Sequence, residues 1–275
     1  MKQRVVLGES RLRARRRKQR LFVFGGSFAC LVLIFLLVWW FCNASFLAIT
    51  HVEVSGTNAV PAAAVEQAVR TDMTGSYAWL FAKSNVFLYP KKTIEANLLA
   101  QYPTFKSVGV SAKDFHTLAV VAVERVPFAL WCGAVPIATS TCMLLDAGGV
   151  AYAEAPQYSG DVYKKYFGAL ATSTQLRQFL NESTFHSLSA LALALEKKNA
   201  PDSAEQVTVD EHSDVRVHFS GGYELLFAGG DDSGDVFSRF SLTVTAAPFT
   251  THPLSDFEYI DLRFGDKVYY KLKSQ

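Results

Sequence analysis

An uncharged apolar stretch near the N-terminus constrains this 275-residue chain more than any other feature. It covers the 22 residues 21–42, LFVFGGSFACLVLIFLLVWWFC, and contains no Asp, Glu, Lys or Arg. A helix needs about 20 predominantly apolar residues to cross the hydrocarbon core of a bilayer. The stretch therefore predicts a transmembrane helix at 21–42, with a short tail on one side of the membrane and most of the chain on the other.

The tail before this stretch is strongly basic and predicts the orientation of the chain. Residues 1–20 contain nine Lys or Arg and a single acid, Glu9, for a net charge of +8, whereas the whole chain is only +2. Basic residues beside a span are retained in the cytoplasm. We therefore expect a cytoplasmic N-terminus and an extracytoplasmic C-terminal part. A basic run can also bind nucleic acid, but a topology signal that contacts anionic lipid explains it without a further partner.

The main alternative to a retained membrane anchor is a cleaved signal peptide. Signal peptides have an apolar region of about 7–15 residues, followed by a cleavage site of small residues. Here the apolar stretch is longer and ends in Trp39, Trp40 and Phe41. Because aromatic residues are enriched at membrane interfaces, these features favour a retained anchor.

The four cysteines form two pairs with different surroundings. Cys30 and Cys42 lie in the apolar stretch, where cysteine acts as a small apolar residue. Cys132 and Cys142 have nine residues between them and apolar runs around them, a pattern typical of two strand ends joined by a loop. Outside the cytoplasm such a pair can form a disulfide, and two buried free thiols are the alternative. No histidine or second cysteine pair stands at a spacing suited to zinc.

The segment after the apolar stretch predicts a small α+β unit. Residues 48–54 alternate between apolar and polar and indicate a strand. Apolar residues with helical spacing follow Pro61 and again Pro90, and proline suits the first turn of a helix. Two more strands are predicted at 105–113 and 117–124. The resulting order is strand, helix, helix, strand, strand.

This order resembles the POTRA domain, and local motifs resemble the bacterial cell-division family FtsQ/DivIB. The motifs are HVEVSG at 51–56, VVAVERVPFALW at 120–131, MLLDAGGVAY at 143–152 and YIDLRFGDKVYYK at 259–271. The last contains Ile-Asp-Leu-Arg followed by an aromatic residue, the most specific motif of the family. The order and spacing of the motifs carry the resemblance, which extends over roughly residues 20–272.

The resemblance implies an α+β fold in four segments. These are a basic cytoplasmic tail at 1–20, the transmembrane helix at 21–42, a POTRA domain at 48–126 and an FtsQ/DivIB-type β domain at 127–272.

The β domain is expected to contain one long helix at 174–198 and a C-terminal strand pair. Residues 235–247 include SLTVT, which favours strand by propensity, but the family has a helix before the Asp-Leu-Arg strand, so we expect a helix there. Further strands are predicted at 128–132, 143–154, 207–210, 215–219, 223–228, 259–264 and 267–272.

The resemblance also implies a partner-binding site at the C-terminal strands. In the family this region receives a segment of a partner protein by strand addition, which uses the backbone groups of a sheet edge. Asp261 and Arg263 stand two residues apart in a predicted strand, so they share one face and can pair. The implied contact residues are Asp261, Arg263, Phe264, Val268, Tyr269 and Tyr270.

The function implied by the resemblance is that of a non-enzymatic scaffold of the divisome. It would recruit FtsB/DivIC-like and FtsL-like proteins at the division septum of the cell (inner) membrane. The scattered histidines and the lack of a phosphate-binding loop or Gly-x-Ser-x-Gly motif predict no catalytic site, metal or cofactor. No nucleic acid or small-molecule substrate is expected either.

The sequence also leaves three other interpretations open. Residues 229–232, Gly-Gly-Asp-Asp, resemble the loop of cyclic-dinucleotide synthases, but in an extracytoplasmic part the end of a hairpin is the better interpretation. A POTRA-containing chaperone of a translocation system would usually carry several POTRA units and a barrel of many strands. A membrane-anchored envelope hydrolase would need a convergent polar pocket.

Overall fold

The structure is a computed structural model and has a mixed α+β fold, as predicted. An N-terminal apolar helix precedes a three-stranded sheet, a two-stranded hairpin and a ten-stranded sheet. The chain divides into two units, one of Met1–Leu99 with Ser107–Val123 and one of Ala100–Lys106 with Glu124–Gln275. The described residues are 9–137, 141–156, 162–171, 177–199 and 201–274.

Helix α1 spans Glu9–Cys42 and includes the predicted membrane span. Its stretch Phe22–Cys42 has a mean hydropathy of 2.5 and is not buried within the protein. A helix that is apolar all round and unburied is typical of a membrane span. The finding is compatible with a single-pass membrane protein. Residues 1–8 of the predicted tail lie outside the described part of the chain.

The first unit continues with two helices and a small sheet, in which the strand order is β1-β5-β4 and β1 runs parallel to β5. Each helix buries two apolar side chains, Val65 and Val69 in α2 and Ile94 and Leu98 in α3. The short strands β2 and β3 were not predicted, because two residues are too few to show alternation. The elements are β1 (His51–Ser55), α2 (Ala62–Asp72), β2 (Ser76–Tyr77), β3 (Phe81–Ala82), α3 (Lys91–Gln101), β4 (Phe105–Ala112) and β5 (Thr117–Glu124).

The second unit is built on the ten-stranded sheet, with strand order β10-β8-β7-β6-β9-β11-β12-β13-β14-β15. The strands are β6 (Ala129–Trp131), β7 (Met143–Leu145), β8 (Val150–Glu154), β9 (Lys165–Phe167), β10 (Arg177–Gln178), β11 (Ala204–Val209), β12 (Asp214–Phe219), β13 (Glu224–Ala228), β14 (Phe257–Phe264) and β15 (Lys267–Leu272). The helices of this unit are α4 (Glu182–Lys198) and α5 (Ser233–Thr243), and it has a single 3-10 turn at Leu254–Asp256. The first unit has another 3-10 turn, at Ser45–Leu47.

The core of the second unit forms where α4 and α5 pack on one face of this sheet. Helix α4 has buried apolar residues at helical spacing, and α5 adds Val236 and Phe240. These side chains share one apolar cluster with Ile260 and Leu262 of β14. Because Ile260 and Leu262 face this core, Asp261 and Arg263 between and beside them face the opposite side of the sheet.

The predicted start of the long helix is wrong. The helix was expected at 174–198, but α4 begins at Glu182, and Arg177–Gln178 forms strand β10. The side chain of Asn181 accepts a hydrogen bond from the Thr184 N–H at 2.8 Å and so caps the helix. An asparagine cap satisfies an otherwise unpaired amide of the first turn, which sets the start there. Residues 174–176 lie outside the described part of the chain.

The helix expected at 235–247 is confirmed as α5, although it covers Ser233–Thr243. Asp232 precedes it, and its side chain accepts hydrogen bonds from the N–H groups of Gly234 and Asp235 at 2.8 and 3.2 Å. The Gly-Gly-Asp-Asp sequence therefore begins at the end of the β12–β13 hairpin, where the Gly229 N–H donates to the Ser213 carbonyl at 2.8 Å, and leads into a capped helix.

Candidate functional site at the last strand pair

The last two strands of the large sheet carry all of the predicted contact residues. Asp261, Arg263 and Phe264 lie at the end of β14, and Val268, Tyr269 and Tyr270 lie in β15. The tight turn between the strands contains Gly265 at a φ of 63°, a conformation that glycine adopts readily. Asp261 pairs with Tyr269 across the two strands, so the fold brings the predicted contact residues of β14 and of β15 together.

Strand β15 forms one edge of the sheet. It pairs with β14, and none of the described strands pairs with its other side. Just beyond the strand, the Lys273 N–H donates to the Asp256 carbonyl at 2.8 Å, on the β14 side. Because backbone groups alternate in direction along an antiparallel strand, the N–H and C=O groups of Val268, Tyr270 and Leu272 point away from β14. These three positions are available to an added strand.

An ion cluster lies on the solvent side of the sheet next to this edge. The Arg263 guanidinium donates to Asp261 Oδ1 from Nε at 2.9 Å and to Asp261 Oδ2 from Nη2 at 2.6 Å. It also donates from Nη1 to Asp214 Oδ2 at 2.6 Å. The prediction that Asp261 and Arg263 pair is confirmed. A bidentate contact fixes the plane of the guanidinium, so the two carboxylates hold Arg263 in one orientation.

The two partners in this pair differ in their exposure. The side chain of Asp261 is 6% exposed and that of Arg263 is 31% exposed. Burial by itself raises the pKa of Asp261, but the hydrogen bonds and the charge of Arg263 outweigh it and hold that pKa below its ordinary value. Hydrogen bonds to Asp261 and Asp214 raise the pKa of Arg263. Asp261 is thus an internal support for Arg263, and its predicted role as a direct partner contact stays a prediction.

Two exposed aromatic rings stand beside the guanidinium. Phe264 and Tyr269 are 54% and 50% exposed, and their ring centroids lie 5.0 Å apart in an edge-to-face arrangement. The Arg263 guanidinium carbon lies 5.8 Å from the centroid of the Phe264 ring. We call Arg263, Phe264 and Tyr269 together the Arg263 patch. It offers a cation and two apolar surfaces on a single face of the strand pair.

Val268 and Tyr270 face the other side of the sheet. Tyr270 packs edge-to-face on Phe249 and Phe257, with centroid distances of 5.3 and 5.7 Å. Val268 packs against the main apolar core. Their side chains therefore hold β15 in place, and what they present at the sheet edge is backbone.

Asp214 is the member of the ion cluster that sequence reasoning missed. It stands 49 residues before Arg263 and directly follows the turn that joins β11 to β12. Asp214 opens β12, which pairs with β13, and β13 in turn pairs with β14. Only this strand order brings Asp214 to Arg263, and no local pattern indicates it.

The predicted cysteine pair lies at the first strand pair of the same sheet. Strands β6 and β7 are antiparallel, and Cys132 and Cys142 stand just beyond their paired ends. The two residues form a disulfide with a Cα–Cα distance of 4.1 Å, which is the first of the two alternatives drawn from the sequence. Cys132 is buried with Leu130 and Phe167. Residues 138–140 of the enclosed loop lie outside the described part of the chain.

Two residues from separate motifs meet near the same strands. Arg125, from VVAVERVPFALW, donates from Nη1 to Asp146 Oδ2, from MLLDAGGVAY, and each side chain is only 7% exposed. The other carboxylate oxygen of Asp146 accepts hydrogen bonds from the N–H groups of Gly148 and Val150 at 2.9 and 3.0 Å. Arg125 Nε donates to the Pro103 carbonyl at 3.2 Å. This pair is an internal element of the unit and offers no surface.

The described residues contain no group of three or more His, Cys, Asp or Glu arranged to hold a metal ion. A cleft of about 670 Å³ lies between the first turns of α4 and the segment that starts α5. Its acidic residues are Asp231 and Asp232. Asp231 pairs with Arg239, and Asp232 caps α5, so both already have structural partners.

No protein-family model matches this chain, and no curated protein matches it. The resemblance to FtsQ/DivIB therefore rests on the sequence motifs, and the function is inferred from the residues and the geometry of the last strand pair.

Proposed function

We propose that this protein is a single-span scaffold of bacterial cell division, of the FtsQ/DivIB type, which binds a partner strand along β15. Helix α1 holds it in the cell (inner) membrane at the division septum, with the basic tail in the cytoplasm and the rest of the chain outside. Its partners are FtsB/DivIC-like and FtsL-like proteins. The observation that carries this proposal is the edge of β15, which lies beside the Arg263 patch.

The architecture of the first unit supports the family part of the proposal. Its order β1, α2, α3, β4, β5 is the strand and helix order of a POTRA domain, with the small β2–β3 hairpin added between the helices. Pro61 and Pro90 stand directly before α2 and α3. In the proposal this unit is the membrane-proximal POTRA domain, and the second unit is the β domain.

The edge of β15 suits strand addition. An edge strand with unpaired N–H and C=O groups is a template for another strand, and proteins usually protect such edges. β15 is six residues long and exposes Tyr269, Tyr270 and Leu272. At the opposite edge of the sheet β10 has two residues. An added partner strand could therefore form more backbone hydrogen bonds along β15 than along β10.

Arg263 adds specificity to this edge. A guanidinium carries five N–H donors, and three of them are used in the bonds to Asp261 and Asp214. The remaining two can donate to carbonyl or carboxylate oxygens of a partner. Because the two aspartates fix the guanidinium, binding a partner does not require it to become ordered first. The adjacent Phe264 and Tyr269 rings supply apolar contact area.

The mechanism in this proposal is scaffolding without chemistry. Anchoring two proteins in one membrane raises the effective concentration of each for the other. The partner strand binds at β15, and the assembled complex controls the enzymes that synthesise septal peptidoglycan.

The decisive experiment tests the outward backbone of β15. The change Val268→Pro removes one outward N–H, whereas Val268→Ala trims the same side chain and keeps that N–H. We expect the full-length Val268→Pro protein to lose co-purification of its FtsB/DivIC-like partner, and Val268→Ala to retain it. Circular dichroism spectra of both variants verify the fold. Normal binding by a folded Val268→Pro protein would contradict strand addition at β15.

A second pair of variants tests the Arg263 patch. Arg263→Glu reverses the charge within the patch, and Arg177→Glu makes the same reversal on the opposite edge strand, β10. We expect only Arg263→Glu to abolish co-purification. Fluorescent fusions then test the cellular setting, in which a ring at mid-cell supports a division role and an even peripheral signal contradicts it.

A further inference from the structure

The β2–β3 hairpin of the first unit displays an unusually exposed aromatic side chain. Trp79 at its tip is 95% exposed, the largest exposed fraction among the large apolar side chains of the described residues. Tyr77 and Leu80 beside it are 40% and 37% exposed. The hairpin is short, with Ser76 paired to Ala82 and Tyr77 paired to Phe81. A tryptophan held on such a narrow support contributes little to the core of its own unit.

The turn that presents Trp79 has an unfavourable backbone. The Leu80 N–H donates to the Tyr77 carbonyl at 2.9 Å, and the two residues between them, Ala78 and Trp79, have φ values of 45° and 61°. Turns with positive φ at both central positions strongly prefer glycine and asparagine, and other residues are strained there. Strain of this kind persists where the surrounding structure maintains it, and it motivates a functional hypothesis.

The hairpin is attached to the end of the apolar helix α1. Asn43, which directly follows α1, donates from Nδ2 to the Leu80 carbonyl at 2.8 Å. The buried Asn85 donates from Nδ2 to the Cys42 carbonyl, at the last residue of α1, at 2.7 Å. The Val86 N–H donates to the Leu47 carbonyl at 2.9 Å. These bonds place the hairpin tip beside the last turn of the membrane-span candidate.

Other aromatic side chains lie in the last turn of α1 and just after it. Trp39, Trp40 and Phe41 are exposed in its last turn, and Phe46 packs on Phe41 with a centroid distance of 5.7 Å. Tryptophan and tyrosine are enriched where a span leaves the hydrocarbon, because they have an apolar body and a polar atom that stays hydrated.

A cation completes this set of groups. The Lys83 ammonium lies 5.8 Å from the centroid of the Tyr77 ring. A lysine at such a position can extend its charge towards lipid phosphates while its stem stays on apolar surface. The hairpin thus combines an aromatic tip with a neighbouring cation, which is the composition expected of a group at the lipid headgroups.

We propose that the β2–β3 hairpin is a second membrane contact, which inserts Trp79 into the outer lipid interface beside α1. This inference rests on the part of the proposed function that makes α1 a membrane span. A single helix leaves the unit it carries free to rotate about the helix axis. Insertion of Trp79 to one side of that axis removes this freedom and fixes which face of the first unit is turned to the membrane.

The test measures whether lipid reaches Trp79 in the full-length protein. The chain contains four tryptophans, at positions 39, 40, 79 and 131. The protein is reconstituted in phosphatidylcholine vesicles with or without brominated acyl chains. The fluorescence emission of the Trp79→Phe variant is subtracted from that of the wild type, and the difference is the Trp79 signal. We expect brominated lipid to remove most of this Trp79 signal and acrylamide to remove little. The matched Trp131→Phe difference, from the second unit, should be insensitive to bromine.

The possible outcomes separate this inference from the proposed function. A Trp79 signal that acrylamide quenches and brominated lipid does not would overturn the inference, and so would shielding that arises only when partner proteins are added. Trp39, Trp40 and Trp131 remain in the Trp79→Phe variant. Because Trp131 should be insensitive to bromine, quenching in this variant reports on Trp39 and Trp40 in α1. If brominated lipid quenches them but not Trp79, only the hairpin contact is wrong. If they too are unquenched, the membrane span and the proposed function fail together.

Discussion

One arginine–aspartate pair, Arg125–Asp146, lies next to the strand pair β6–β7, and another, Asp261–Arg263, lies in the last strand pair, β14–β15, but the two ion pairs differ in their access to solvent. Near β6–β7, Arg125 and Asp146 are each 7% exposed, and backbone amides occupy the second oxygen of the carboxylate. At β14–β15, Asp261 is equally buried, whereas Arg263 is 31% exposed. The Arg125–Asp146 pair therefore connects parts of the unit, whereas the Asp261–Arg263 pair holds a cation at the surface of the unit.

The surroundings of the two strand pairs also differ, because β6–β7 is enclosed and β14–β15 is exposed on one side. A disulfide closes the loop at the end of β6–β7, and both strands have neighbours on their outer sides. β15 has a neighbour on one side, and Phe264 and Tyr269 beside it are exposed. The same residue chemistry thus supports a closed element in one place and, in the proposed function, a binding surface in the other. Measurements of stability and binding should separate the two roles.

The largest loss of stability is expected from Arg125→Met. This change leaves the buried Asp146 carboxylate without its cation, and breaking a buried ion pair in this way typically destabilises a protein by about 3–5 kcal/mol. Urea denaturation of the detergent-solubilised protein measures the free energy of unfolding. Arg177→Met, at an exposed arginine, is the control and should change it little. A loss below about 1 kcal/mol for Arg125→Met would contradict the structural role of the pair.

Removal of the disulfide should have the next largest effect. Cys132 and Cys142 are separated by 10 positions, and closing a loop of that length stabilises a protein by about 2–3 kcal/mol. We expect Cys132→Ser with Cys142→Ser to lower the free energy of unfolding by this amount. Adding a reductant should lower the stability of the wild type equally and leave the double variant unchanged. An equal response of both proteins to the reductant would show that the disulfide does not stabilise the unit.

The sequence was sufficient to predict the elements that a local sequence pattern indicates. The uncharged apolar run predicted the apolar part of α1, the YIDLRFGDKVYYK motif predicted the C-terminal strand pair, and the spacing of Asp261 and Arg263 predicted their contact. Each of these patterns lies within one continuous stretch of sequence. The start of α4 was missed because the apolar stripe continues before Glu182, while the Asn181 cap and the pairing of β10 decide the boundary.

The contacts between residues far apart in the sequence depend on strand order, which the sequence does not display. Asp214 contacts Arg263 because β13 lies between their strands, and Arg125 meets Asp146 across 21 positions. The β2–β3 hairpin was missed for another reason, since its Ala-Trp turn lacks the glycine or asparagine that signals such a turn. The residues of the candidate site and the support that Asp261 gives to Arg263 were therefore predictable, but the support from Asp214 was not.

Acid should weaken the last strand pair through Asp261. The pKa of Asp261 is lower in the folded protein than the value of about 3.9 in an unfolded chain. Its stabilising effect is therefore complete above the unfolded pKa and is lost as the pH falls through the folded pKa. We expect Asp261→Asn to cost about 1–2 kcal/mol at neutral pH and to reduce the acid dependence. Parallel stability curves for the two proteins from pH 7 to 2 would contradict this role.

The smallest change in stability is expected from Tyr269→Ala, together with a large loss of partner binding. Its ring is 50% exposed and contacts Phe264, and such an edge-to-face contact contributes about 1 kcal/mol or less at a surface. Tyr270→Ala is the matched comparison. The Tyr270 ring is 43% exposed, but it packs on both Phe249 and the fully buried Phe257, so its removal should cost more stability. Urea denaturation and co-purification measure the two effects. If Tyr269→Ala destabilises the protein as much as Tyr270→Ala does, the exposed ring is a core element, and the contrast between a closed first strand pair and a binding last strand pair is lost.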